Sequence, residues 1–255
     1  MQKEISIDGI KLTPLTPDEA VESISALLED KDNPETVTYL NAYVYCLAKK
    51  DPELQSIISD SRMVFADGVS IVWATFLMCR KRISRCIMTH VFDKFLVSPS
   101  VPASRCILIG LTKIEVMKAQ ENMNSISENV QVVKAYSGYH SMDIYSRILK
   151  ENHNIDVVLI GMSTPKSEYL CRVAMRSGKY PIVWHIGAGT IKCYAKSKRR
   201  PPEWVSKMGL EWVHRFVYEK HTRKRYIKYN FLFMYLLTVG TFRSIMVSTL
   251  LKQKK

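Results

Sequence analysis

Asp156-Val157-Val158-Leu159-Ile160-Gly161-Met162-Ser163-Thr164-Pro165-Lys166-Ser167-Glu168 is the stretch whose reading decides the fold. Its apolar, β-branched opening is too short for a helix and stops at glycine, which reads as a buried strand. A loop of hydroxyls follows, and the pattern then turns helical from Lys166 to Ser177. The same unit recurs on both sides. Strands are expected near Thr36 to Leu40, Met63 to Ala66, Cys106 to Ile109, Gln131 to Ala135 and Ile182 to Ile186. Helices fit Ala42 to Lys49, Val69 to Met78, Ile114 to Ser127 and Met142 to Glu151. This rhythm predicts an α/β fold with a mostly parallel sheet and flanking helices. Upstream, Ile5, Ile7, Ile10 and Leu12 alternate around Asp8-Gly9, as in a β-hairpin with a tight turn. Thr16-Pro17-Asp18-Glu19 then reads as a capping box opening a helix to about Leu28.

Five of the strands run into residues able to do chemistry: Asn41, Asp67-Gly68, Gly110, Gly161, and Gly187-Ala188-Gly189. In open α/β sheets ligands bind beyond the carboxyl ends of the strands, where backbone amides and helix N-termini meet anions. The expected site is the crevice between these five ends, with Asn41, Gly68, Gly110, Gly161, Lys166, Gly187 and Gly189 as substrate-binding candidates. Asp67, after an apolar strand, can act as a general base toward an attacking hydroxyl, or can simply cap the next helix. Asn41 can bind a sugar or uracil edge, or can be a cap. The loop from Gly161 to Glu168 suits a phosphate, yet it lacks the P-loop spacing, and no GxGxxG follows any strand. For a metal there is no HExxH, and Asp30-Lys31-Asp32 falls at a helix end, so no metal site and no cofactor are expected.

Composition narrows the class. With 255 residues and 47% hydrophobic content the chain can bury a full core. Its six cysteines form no CxxC pair and read as thiols of a reducing compartment. The first ten residues lack the apolar run of a signal peptide. Charge is unevenly placed. Residues 192 to 255 hold sixteen Lys and Arg against Glu203, Glu211 and Glu219, while residues 1 to 191 hold twenty-one of each sign. A charged segment on a neutral body points to a particular anionic partner.

The boundary is drawn at residues 197 to 202, dividing a catalytic domain (1–196) from a basic, apolar helical appendage (197–255). The appendage is expected to hold one helix from Glu203 to Glu219 and another from Arg223 onward. Arg215, Arg223 and Arg225 are cations able to meet a diphosphate in bidentate fashion, or are members of a solvated basic face. Basic residues interleaved with Tyr226, Tyr229, Phe231 and Tyr235 suit nucleic acid, a membrane interface or an amphipathic core helix. The apolar run from Phe231 to Phe242 favours the membrane surface. Arg243 leaves it at about a dozen residues where a span needs ~20, so a helix crossing at 229–251 is the lesser reading.

Taken in order, several stretches resemble the WecG/TagA/CpsF family of bacterial glycosyltransferases: Tyr39-Leu40-Asn41, Phe65-Ala66-Asp67-Gly68-Val69, Ile107 to Gly110, Val157 to Gly161 with Pro165, Lys166 and Glu168, Ile186 to Gly189, Lys198 to Arg200 with Pro202 and Trp204, and above all Gly209-Leu210-Glu211-Trp212-Val213-His214-Arg215. The resemblance covers about residues 5 to 230. It implies a Rossmann-like fold and inverting, metal-independent transfer of a sugar from a UDP-sugar donor to a lipid-diphosphate-linked acceptor, in cell-surface polysaccharide assembly. The enzyme would be cytoplasmic, peripherally bound at the inner membrane face through its tail, with no nucleic-acid partner and self-association left open. On this resemblance Asp67 is the base, Asn41 its polar neighbour, Arg215 the arginine of the C-terminal motif, and Arg223 or Arg225 a second arginine at the diphosphate. Departures fall at Leu111, Thr89 and Lys196, where glycine is common, at Ser167 for Gln, at Lys192 for Asp, and at Lys220 for Pro. The rivals are a non-catalytic nucleotide-sugar-binding protein of the same fold and a nucleic-acid-binding protein using the basic tail.

Overall fold

A computed structural model describes residues 5–177, 180–198, 200–219 and 223–253. The chain opens with strands β1 (Ile5–Ile7) and β2 (Ile10–Leu12), paired antiparallel. Asp8 and Gly9 form their turn at φ 49° and 87°, the left-handed pair that a tight primed turn demands. Helix α1 (Pro17–Glu29) follows, with the Thr16–Glu19 capping box fully formed.

The body is a six-stranded sheet of β3 (Glu35–Leu40), β4 (Met63–Ala66), β5 (Ser104–Gly110), β6 (Val130–Tyr136), β7 (Val157–Gly161) and β8 (Ile182–His185), in the order β4-β3-β8-β7-β5-β6. Every pairing in it is parallel. The expected strands are all present, some extended by a residue or two, while the one expected from Asp156 to Ile160 runs Val157–Gly161 and the one expected to reach Ile186 ends at His185. Helices α2 (Ala42–Ala48), α4 (Val69–Cys79), α6 (Lys113–Asn124), α7 (Met142–Glu151) and α8 (Lys166–Arg176) occupy the expected connections. Three further helices are α3 (Pro52–Ser59), α5 (Met88–Val97) and α9 (Ala188–Tyr194). Each is short or follows an irregular segment, so it carries little periodicity of its own.

Alternate residues of each strand feed opposite layers. On one face Cys106, Leu108, Leu159 and Trp184 pack under α1, α5, α6 and α9. On the other, Ile107, Ile109, Val158 and Val183 meet α7 and α8, and beside them Leu40, Val64 and Ala66 meet α2, α4 and the hairpin. Coverage of both faces explains the unbroken apolar strands.

The appendage departs from expectation in one respect. Instead of a single helix from Glu203 to Glu219 there are two, α10 (Glu203–Lys207) and α11 (Glu211–Tyr218). Gly209 parts them at φ 72°, and a Cβ there would stand 3.2 Å from that of Val69. The break lets the chain turn against the start of α4. Last comes α12 (Arg223–Gln253), which lays Phe233 and Leu237 into the core shared with α2 and α4. Among the described residues no helix is long and apolar enough to cross a membrane.

Candidate active site

The sheet order makes the ends of β4, β3, β8, β7 and β5 neighbours in that sequence. The five ends expected to bound the crevice therefore form one continuous edge. Leu40 pairs with Ala66, so Asn41 and Asp67 leave adjacent strands side by side. The Asp67 amide continues the ladder by donating to the Leu40 carbonyl at 3.0 Å.

Asp67 does not cap the helix that follows it. Gly68 is the N-cap of α4, with no side-chain hydrogen bond there, so among the described residues the first amides of that helix have no side-chain partner beside the carboxylate. Asp67 Oδ1 instead accepts from the Met88 amide at 2.8 Å, at the first residue of α5. Oδ2 has no hydrogen-bond partner among the described residues. The half-buried carboxylate is thus aimed by one oxygen and open at the other. Asn41 is a cap: its Oδ1 accepts from Val44 N at 3.1 Å. A Cβ at Gly68 would stand 3.1 Å from Ser70 Oγ and in ordinary contact, at 3.4 Å, with Asn41 Cβ, so the tight neighbour is the first turn of α4.

The glycines farther along the edge answer to packing. A Cβ on Gly110 would strike the Gly161 carbonyl and stand 2.6 Å from Ile191 Cδ1, and one on Gly161 would run into the same isoleucine. Helix α9 sits this close to the sheet only because both positions lack a side chain. Gly187 begins α9 at φ 79°, with its missing Cβ 2.7 Å from the Tyr39 hydroxyl. Gly189 lies in the first turn of α9, half-buried.

Two expected cations are already engaged. Lys166 Nζ donates to the Gly138 and His140 carbonyls at 3.0 and 2.8 Å and lies over the Tyr145 ring. Arg223 donates through Nε to Phe216 O at 2.7 Å and through Nη2 to Val217 O at 2.9 Å, closing the C-terminal end of α11. Arg225 stands elsewhere. Its guanidinium lies 5.0 Å from the ring of Tyr43, in the first turn of α2 after Asn41. Burial raises the Tyr43 phenol above its ordinary value, opposed by this arginine. Arg215 belongs to α11, and its side chain falls outside the described set.

Two residues not singled out from sequence hold the site together. Arg85, in the segment between α4 and α5, donates Nε to the Asp67 carbonyl at 3.0 Å and Nη1 to the Ser206 carbonyl at 2.9 Å, and its Nη2 pairs with the Glu211 carboxylate. One guanidinium so links the crevice to the appendage. Its only sequence signal was being one of several basic residues in a stretch without periodicity. His185 lies wholly buried at the end of β8, its ring 4.8 Å from that of Tyr39. Its Nδ1 is 3.5 Å from Glu168 Oε1, which also accepts from Thr164 Oγ1 at 2.7 Å. Burial holds the imidazole below its ordinary value, against the pull of Glu168 and Asp67. A histidine inside the apolar run Ile182 to Ile186 was the available signal, since a buried polar group needs partners.

A concavity of about 540 Å³ opens at the opposite ends of the strands around Arg105, Asn129 and Asp156. Asp156 is occupied there by Lys31 and the Arg105 amide, and neither Asp67 nor a helix N-terminus reaches it. No group of three or more His, Cys, Asp or Glu able to hold a metal occurs among the described residues.

The family model described as "Glycosyl transferase WecG/TagA/CpsF family" matches residues 5–245, nearly the whole chain.

Proposed function

Because the chain belongs to the WecG/TagA/CpsF family of glycosyl transferases, acting in polysaccharide biosynthesis, we propose that it is an inverting, metal-independent enzyme with Asp67 as its base. The observation that carries this reading is the Asp67 carboxylate, aimed by the Met88 amide through one oxygen and open through the other. In the proposed reaction the open oxygen takes the proton of an acceptor hydroxyl as that hydroxyl attacks the anomeric carbon of a UDP-sugar. The C–O bond to the diphosphate breaks, and UDP leaves from the opposite face.

The departing charge needs cations, since no metal takes part. Arg225 is the better candidate of the two alternatives, because Arg223 spends its donors on α11 carbonyls. The first amides of α4 add positive potential beside Gly68. The acceptor is proposed to be a saccharide on a lipid diphosphate, reached at the inner membrane face through the appendage (197–255).

Replacing Asp67 by Asn tests the base. An amide oxygen can still accept from the Met88 N–H, so the variant should fold as the wild type does. It cannot take a proton, and turnover in EDTA-containing buffer with UDP-sugar and lipid-diphosphate acceptor should fall about 10²–10⁴-fold. Wild-type turnover in the variant would remove Asp67 from the mechanism.

A further inference from the structure

Helix α4 carries Trp73, Phe76, Leu77 and Arg80 at i, i+3, i+4 and i+7, a single stripe, and the three apolar members are 55%, 42% and 37% exposed. The inner stripe of the same helix, Ile71 and Ala74, is buried. An outward row of large apolar side chains on a covering helix has no role in the core. Next to it runs α12. Phe233 and Leu237 face inward, and Gly240 comes so close to α4 that a Cβ there would lie 2.6 Å from Met78 Cε. Outward, α12 exposes Phe231, Tyr235 and Phe242 at 74%, 65% and 65%. Two apolar stripes therefore flank one helix–helix seam.

Charge selects the partner. Arg80 ends α4 in the left-handed conformation, and the turn after it exposes Lys81 and Arg82, with the Arg82 guanidinium 5.3 Å from the Phe76 ring centre. At the start of α12, Lys224 and Lys228 are exposed. Residues 68 to 92 and 220 to 255 contain no Asp or Glu. Aromatic and aliphatic side chains flanked by these cations fit the boundary of an anionic bilayer, where the cations meet headgroups and the rings enter the interface.

We propose that the outer stripe of α4 with the Arg80-Lys81-Arg82 turn is a second membrane-docking element, forming one platform with α12. It rests on the reading that the acceptor is membrane-borne, and it adds orientation to it. Gly68 caps the start of α4, so a docked α4 holds Asp67 within about one helix length, ~16 Å, of the headgroups. A tail alone would tether the enzyme without aiming its crevice.

The test is co-sedimentation of the full chain with phosphatidylglycerol/phosphatidylcholine vesicles. The pair Trp73→Ser/Phe76→Ser and the pair Lys81→Glu/Arg82→Glu, all at exposed positions, should each weaken binding by about tenfold or more while circular dichroism stays that of the wild type. In a Trp204→Phe/Trp212→Phe background only Trp73 and the buried Trp184 remain, and brominated acyl chains should quench Trp73. If the α4 variants bind as the wild type and Trp73 is unquenched, while Phe231→Ser/Tyr235→Ser abolishes binding, the α4 inference is overturned and the tail reading survives. If the wild type ignores anionic vesicles, both fall. If Trp73→Ser/Phe76→Ser dissolves a vesicle-independent dimer and leaves vesicle binding intact, the stripe is a contact between copies, and the inference is overturned.

Discussion

At the scale of single residues, two of the expected departures from the family pattern fall where the backbone conformation itself favours glycine. Leu111 and Lys196 stand where glycine is common, and both adopt left-handed backbone, at φ 52° and 56°. A Cβ in that region costs about 1–2 kcal/mol, partly offset because glycine is more flexible when unfolded. Lys196 is exposed, so Lys196→Gly should stabilise the fold by up to about 1 kcal/mol, read as a higher denaturant midpoint. An unchanged or lower midpoint would show that the lysine makes a compensating contact. Ser167, in place of Gln, accepts from the Met162 amide at 3.1 Å and is fully buried. It serves the loop beneath the crevice. His185 makes the stability depend on pH. Its folded-state value lies below the ordinary 6.5, so under acid the unfolded chain binds more protons than the folded one. Its contribution is whole above about pH 6.5 and is lost as pH falls below, at up to about 1.4 kcal/mol per pH unit. Unfolding free energies at pH 7.5 and 5 should differ less in His185→Gln than in the wild type; equal pH slopes would refute the buried neutral imidazole.

At the scale of elements, the edge of the sheet is shaped by how closely α9 approaches. Ile191 fills the space over Gly110 and Gly161, so Gly161→Ala should destabilise the fold by about 1–3 kcal/mol through overpacking. Shortening the intruding side chain in Gly161→Ala/Ile191→Val should recover part of the loss, measured as non-additivity in a double-mutant cycle. Additive effects would mean that the glycine is needed for another reason. The N-terminus of α4, which has no side-chain cap, contrasts with α2 and α6, whose first turns are met by Asn41 and by the Thr112–Glu115 capping box. Among these three helices, the one left open starts beside Asp67.

At the scale of the whole molecule, Arg85 couples body to appendage. It reaches the Asp67 carbonyl, the Ser206 carbonyl and Glu211 with little solvent around the pair. A partly buried pair that loses one partner leaves the other uncompensated, at about 2–4 kcal/mol. Glu211→Gln should therefore loosen residues 203 to 218, seen as faster amide exchange there, and lower turnover by moving the Asp67 backbone. Unchanged exchange would show that α11 is held by packing alone. Lys198 and Glu219 add a second tie at 2.7 Å inside the appendage.

The sheet, its parallel sense and the residues at its edge were legible in the sequence because apolar runs, turn glycines and capping boxes are local signals. Asp67 and Asn41 could be placed at strand ends for the same reason. Their pairing, the transfer of the Asp67 cap to α5, the engagement of Lys166 and Arg223, and the roles of Arg85 and His185 all required the tertiary structure. These are contacts between residues far apart in the chain, and no local pattern encodes which partner a side chain will reach. The charge distribution shows the same limit. Summed along the chain the body is neutral, yet the Arg80-Lys81-Arg82 turn is exposed at the end of α4, and cancellation in a sum says nothing about where charges lie in space.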